Sequence, residues 1–262
     1  MVHFVLEDFG VSMIHVETAI RRSSRLFEDE YQPLIVESEH PYFESGLMGP
    51  LQKFFTNIIN ALKNFAKELN ENIQARIRSK NVKRQIRAFH AQLEEIDKDP
   101  NHRKKEVEMI DVEKLSKCIC DATKDMEEIH KRLMKNRYAH LSDLDNDVKN
   151  FNQLFEKSEK EYQAIYSTKI KMPVRKALHL IEDEITGRRP LITSLDKCIT
   201  SCEEMQRHVD EIAQKRELYG VEVLPAYMGA VKRITTKFTS LIQRGVGSGI
   251  TKLIGGAVFL LA

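Results

Sequence analysis

The chain has 262 residues, 42% of them hydrophobic and 31% charged, with no tryptophan and a formal net charge of +2. That length supplies a buried core for one or two domains, and a charged fraction above the usual quarter or so favours long solvated helices. No window reaches the ~20 apolar residues of a spanning helix, and Glu7 and Asp8 interrupt any basic-then-apolar leader, so Sec-type export is not expected.

Residues 2–16 are rich in β-branched and aromatic side chains, split by Asp8-Phe9-Gly10. They suit a short hairpin, or a strand followed by a helix from near Ser12 to about Tyr31. Residues 32–49, with Pro33, Pro41, Gly46 and Gly49, read as a loop-like arm or linker. The longest pattern follows. Leu51, Phe54, Phe55, Ile58, Ile59, Leu62, Phe65, Ala66, Leu69, Ile73 and Ile77 recur at three- and four-residue steps, which place them on one helical face. Pro50 suits the first turn, where its missing N–H costs nothing. No Gly or Pro intervenes before Pro100, so this helix is expected to reach Ile96 and to measure roughly 70 Å.

After a turn at residues 97–101, Asp111 is expected to cap a helix whose inner face carries Leu115, Cys118 or Ile119, Ala122, Met126, Ile129 and Leu133. The pattern weakens at 136–141. Ser142 is the expected cap of the next helix, with Leu144, Val148, Phe151, Leu154 or Phe155, Tyr162 and Ile165 inward. Pro173 restarts or kinks the chain before a short helix through Val174, Ala177, Leu178, Ile181 and Ile185 that ends at Gly187. Residues 191–219 read as a helix with Leu191, Leu195, Cys198, Ile199, Cys202, Met205, Val209 and Ile212 inward, and Pro225 opens a last helix that runs to Gly245. The expected fold is mainly α, an elongated bundle of about six helices with a short β segment at the N-terminus. Its parts are an acidic arm (1–49), a long-helix bundle (50–244) and a Gly-rich apolar tail (245–262). The apolar steps wander between three and four, which favours a bundle over one continuous coiled coil.

Charge is unevenly spread. Residues 1–49 carry nine acids against three arginines, and after Glu222 there is no acid but five cations: Lys232, Arg233, Lys237, Arg244 and Lys252. An acidic head and a basic tail suit head-to-tail contacts or an anionic partner. Arg76, Lys80, Lys83, Arg84 and Arg87 form a basic stripe in a stretch without acids, suited to sequence-independent nucleic-acid contact or to an acidic neighbour. Phe54, Phe55, Ile58, Ile59 and Phe65, flanked by Lys53, Lys63 and Lys67, suit a bundle core or an interfacial membrane or subunit contact. The segment 245–262 has five glycines, a single charge and an apolar end with Leu253, Ile254, Phe259 and Leu260. It fits a tail docked in a subunit interface or groove, or one that inserts among lipid tails.

The four cysteines, Cys118, Cys120, Cys198 and Cys202, read as free, buried thiols in a reducing compartment. Cys198 and Cys202 share a helical face, but no second Cys or His pair completes a zinc pattern. Glu127 and His130 alone approach the Glu-x-x-His pairs of helix-borne carboxylate sites. A P-loop is excluded because Thr251 stands where Gly must precede Lys252. No cofactor, no metal and no enzymatic activity are expected.

Phe4-Val-Leu-Glu-Asp-Phe9, the acidic arm behind it and the aliphatic, Phe- and Lys-rich run from Leu51 to Phe65 together resemble helical virion proteins, structural or internal and ejected, of tailed bacteriophages of Gram-positive hosts. The resemblance covers residues 1–90 and implies a particle component without catalysis; no residue's role carries over. The expected function is therefore that of a non-enzymatic structural or assembly protein, multimeric, with copies of itself and other structural proteins as partners, in the virion or the cytoplasm of the producing cell. The alternative is a membrane-active, pore-forming or ejection-type protein that shields residues 245–262 until triggered.

Overall fold

A computed structural model of the chain describes residues 48–77, 91, 106–186, 189–214 and 223–261. Among them are α1 (Met48–Ile77), β1 (Glu106–Ile110), α2 (Val112–Lys135), α3 (Leu141–Ser167), β2 (Lys169–Pro173), α4 (Val174–Thr186), α5 (Pro190–Gln214) and α6 (Val223–Leu261). The architecture is mainly α, as the periodicity requires. The expected β segment at the N-terminus lies outside the described residues. The β structure that is described sits elsewhere: β1 and β2 pair antiparallel, with Val107 opposite Met172, Glu108 opposite Lys171 and Met109 opposite Ile170. Both strands alternate polar and apolar residues, and Met109 and Met172 are buried while Glu108 and Lys171 are exposed.

The amphipathic stripes form the core. Leu51, Phe55, Ile58, Ile59, Leu62, Phe65 and Leu69 of α1 are buried, and α1 lies along α5. Contacts of Gln52 with Asp210, Thr56 with Gln206 and Lys63 with Glu203 make the two helices antiparallel. The expected continuation of α1 can be followed to Ile77; the stretch 78–90, the turn at 97–101 and the stop at Gly187 lie outside the described residues. Asp111 caps α2 as its chemistry demands, its carboxylate accepting from the Lys114 amide at 3.1 Å. Both Cys118 and Ile119 of α2 are buried, together with the rest of its expected face.

Ser142 does not cap α3. The helix starts at Leu141, after His140 in an extended conformation with no side-chain cap bond. Of the two candidates for one inner position of α3, Phe155 packs on the core while Leu154 is exposed. Pro173 closes β2, and α4 begins at the next residue.

The largest departure is α6. It does not stop at Gly245 but continues to Leu261, 39 residues in all, roughly 60 Å. It is also the hub, packing against all five other described helices and β1. Glycine in a helix interior weakens it by about 1 kcal/mol relative to alanine, and two of these glycines have a packing reason to be there. A Cβ on Gly245 would stand 2.5 Å from Ile119 Cγ1 and nearer still to its Cδ1, and one on Gly249 would stand 2.7 Å from Leu191 Cδ1 and 3.1 Å from Leu115 Cδ2. The glycines let α6 press against α2 and α5 where a side chain would hold it off. Val246 and Ile250, on the same segment, are buried.

Candidate functional site

Polar residues stand inside several apolar stripes, and they converge where α2, α5 and α6 meet. His130 falls four residues after Met126 and three before Leu133, so the helical repeat points it inward; it is 1% exposed. Its Nδ1 lies 2.9 Å from Ser201 Oγ and 3.2 Å from the Ser201 carbonyl oxygen, and its Nε2 lies 3.0 Å from Thr235 Oγ1. Burial without a counter-charge pushes the imidazole down to about 4, against the hydrogen bond to Ser201, which favours the protonated form. At neutral pH the ring is neutral, and one imidazole bridges three helices.

Asp147 of α3 forms a second node. It is 5% exposed and receives the Arg132 guanidinium on both oxygens, Nε at 3.1 Å from Oδ2 and Nη2 on Oδ1. Asn136 Nδ2 donates at 3.1 Å and the Tyr138 hydroxyl at 2.8 Å to the same Oδ2. Burial, reinforced by this carboxylate, raises the Tyr138 hydroxyl well above its usual range. Arg132 also lies 5.9 Å over the Phe151 ring. A charge-assisted cluster of this kind fixes the 136–140 connection between α2 and α3.

A third node joins α4 to α5. Glu184 is 3% exposed and accepts from the Leu191 and Ile192 amides at 3.4 and 3.3 Å. It thereby satisfies donors at the α5 N-terminus that the helix itself leaves open. Burial raises its carboxyl to about 6, a rise that the two amide bonds moderate. Arg189, with φ at 49°, makes the tight turn between the two helices.

Four of the five cations of the acid-free terminal region form a seam on α6. Lys232 stands 5.9 Å over Phe54, Lys237 5.4 Å over Phe155, Arg244 5.8 Å over Tyr162 and Lys252 5.6 Å over Tyr166. Arg244 also grips both oxygens of Glu159 at 3.4 and 3.0 Å, Lys237 donates to Asn152 at 2.8 Å, and the Tyr162 hydroxyl meets Ser248 at 3.2 Å. Each cation–ring contact contributes on the order of 0.5–1 kcal/mol at exposed sites and more where water is displaced.

Phe55, Ile58, Ile59 and Phe65 are all buried within the chain, and Phe54 is half-buried under Lys232. Arg76 sits on the last described turn of α1, whereas Lys80, Lys83, Arg84 and Arg87 lie outside the described residues. Leu253, Ile254, Phe259 and Leu260 belong to the final turns of α6. The Glu127–His130 pair does not converge on a common point, because His130 spends both ring nitrogens on hydroxyl and carbonyl groups. Among the described residues, no group of three or more His, Cys, Asp or Glu is arranged to hold a metal ion. The thiols are free, with Cys118, Cys198 and Cys202 buried. Burial pushes Cys118 up to about 12, while the hydrogen bond with Cys202, followed by burial, raises Cys198; both stay protonated and unreactive. A shallow groove between α1 and the start of α5 is lined by Lys67, Asn70, Arg189, Thr193 and Asp196 together with Ala66 and Ile192, and Arg189 Nη1 donates across it to Asn70 at 3.2 Å. No described helix is long and apolar enough to cross a membrane.

Sequence spacing marks His130 only as the partner of Glu127, reads Glu184 as one of three adjacent acids (Glu182, Asp183, Glu184) that do not converge, and does not mark Asp147. The signal for His130, Ser201 and Thr235 was their place inside apolar stripes: Ser201 lies between Cys198 and Met205, and Thr235 between Val231 and Phe238. Comparison with protein-family models, with curated proteins and with solved structures returns no match.

Proposed function

We propose that this chain is a non-enzymatic structural or assembly protein, a multimeric virion component of a tailed bacteriophage. The observation that carries the reading is how the buried polar groups are used. His130, Asp147 and Glu184 each tie together separate elements, with their hydrogen-bonding capacity directed at hydroxyls, amides and a guanidinium of the chain itself. That is the chemistry of a rigid helical support. The resemblance of residues 1–90 to helical virion proteins supplies the biological setting, and the basic stripe from Arg76 to Arg87 supplies the contact with nucleic acid or acidic neighbours. Chemical cross-linking of the purified chain, read by mass spectrometry, tests the reading. Links between copies that recur at fixed residue pairs support it; a chain that links only to itself at every concentration refutes it.

One observation favours a second reading, a membrane-active protein of the ejection type. The helix at the centre of the bundle is also the one whose last third is Gly-rich, apolar and free of acids. A Gly-rich, apolar segment of this kind can meet lipid through its apolar side chains. Flotation of the full chain with anionic vesicles, alongside Phe259→Ser, discriminates: lipid binding that the substitution abolishes supports the second reading, and a chain that stays with the aqueous fraction removes it.

A further inference from the structure

We infer that the bundle carries an acid-operated release at the junction of α2, α5 and α6, with His130 as its proton acceptor. The argument begins with hydrogen-bond valence. A neutral imidazole satisfies its surroundings by donating from Nδ1 to Ser201 and accepting at Nε2 from the Thr235 hydroxyl. A second proton turns Nε2 into a donor and removes the acceptor for that hydroxyl. It also places a full charge at a point 1% exposed, where desolvation is expensive.

The surroundings offer no compensation. From α5 the ring meets Ser201, with the fully buried thiols of Cys198 and Cys202 on either side of it in the chain. From α6 it meets Thr235, and the ionisable groups within three residues of it along that helix, Lys232, Arg233 and Lys237, are all cations. On its own helix Glu127 lies one turn earlier, and that carboxylate acts on Cys198. Loss of water lowers the imidazole, and the bond to Ser201 opposes that fall. Its affinity for the proton is therefore held below the unfolded value. Stability is complete above the ordinary histidine range and is lost as pH falls from 6.5 towards about 4.

Location turns this lability into a device. The hydroxyls that hold His130 belong to α5 and α6, the helices that, with α2, close around Gly245 and Gly249. A charge between them pushes apart the packing in which Val246 and Ile250 of α6 are buried. Glu184 titrates in an overlapping window with the opposite sign, since its carboxyl is raised, and His208 of α5, lowered by burial against the pull of Glu211, acts with the same sign as His130, so the measurement must separate the three.

Hydrogen–deuterium exchange of the full chain across the acid range, corrected for the intrinsic pH dependence of exchange, tests the inference. Protection over 223–250 is expected to fall as the pH drops through that interval, by up to about 300-fold in the opening equilibrium, the factor that a 2.5-unit shift represents. His130→Gln, which keeps a donor and an acceptor but cannot charge, is expected to hold protection to lower pH, and the exposed His140→Gln to leave the curve unmoved. Loss of protection at the same pH in wild type and His130→Gln overturns the inference, as does retention of α6 protection to about pH 4 in the wild type. If His130→Gln does not fold, NMR titration of the wild-type imidazoles decides. A His130 ring that protonates in step with α6 opening supports the release, and one that titrates like an exposed histidine, or stays neutral while α6 opens, refutes it.

Discussion

Gly245→Ala puts the packing of α6 to a test in which the sign of the effect is informative. Alanine is the better helix former by about 1 kcal/mol, so on a solvated or loosely held segment the substitution stabilises. Here the new methyl collides with Cγ1 and Cδ1 of Ile119, a side chain fully buried in the core and unable to swing into solvent. Overpacking of this kind costs about 1–3 kcal/mol. With two overlapping atoms the upper part of that range applies, leaving a net loss of about 1–2 kcal/mol after the gain in propensity. The same helix provides a control: at Gly229 a Cβ would meet nothing within 4 Å, so Gly229→Ala is expected to stabilise by about 0.5–1 kcal/mol. Urea denaturation followed by far-UV circular dichroism measures both. In the double variant Ile119→Ala with Gly245→Ala, the losses should add to less than their sum by about 1 kcal/mol, because the cavity accepts the methyl. If Gly245→Ala stabilises as Gly229→Ala does, α6 does not approach α2 at that point and the central role assigned to it is wrong.

Two further substitutions probe the polar nodes. Glu184 has its folded-state affinity for a proton raised from 4.5 to about 6, so the ionised form costs stability above about 6 and the cost is relieved as pH falls towards 4.5. At 1.36 kcal/mol per unit the full effect is about 2 kcal/mol. The stability difference between wild type and Glu184→Gln should therefore shift in favour of the wild type on acidification through this window, and a difference independent of pH would contradict the assignment. Asp147→Ala strands the buried Tyr138 hydroxyl and leaves Arg132 without its carboxylate. Loss of one partner from a buried pair costs about 3–5 kcal/mol, and because half of the Arg132 side chain is already in water the lower figure applies. A shift in the urea midpoint equivalent to less than about 1 kcal/mol would show that the cluster does not hold the α2–α3 connection.

What was legible in the sequence was the set of helices that bury one face and solvate the other. The stripes from Leu115 to Leu133 and from Leu191 to Ile212 became buried faces without exception, because periodicity reports burial directly. Glycine reports two opposite things, weak helix formation in isolation and close approach in a packed structure. Gly245 reads as the former and serves the latter, so the sequence pattern ends α6 sixteen residues before the helix itself does. The strands β1 and β2 are five residues each and gain their pairing only from a partner some 60 residues away, beyond the reach of any local window. The His130 node is likewise non-local, its partners being 71 and 105 residues distant. A lone histidine carries no motif, although its position within an apolar stripe pointed it inward.

Mass by light scattering of the purified full chain, with and without anionic vesicles, addresses the central claim most directly. A helical support whose helix α6 is packed into its own bundle as far as Ile250 predicts a discrete oligomer that is unchanged by lipid. A monomer that assembles only on vesicles would contradict the account and make residues 245–262 the working part of a membrane-active protein.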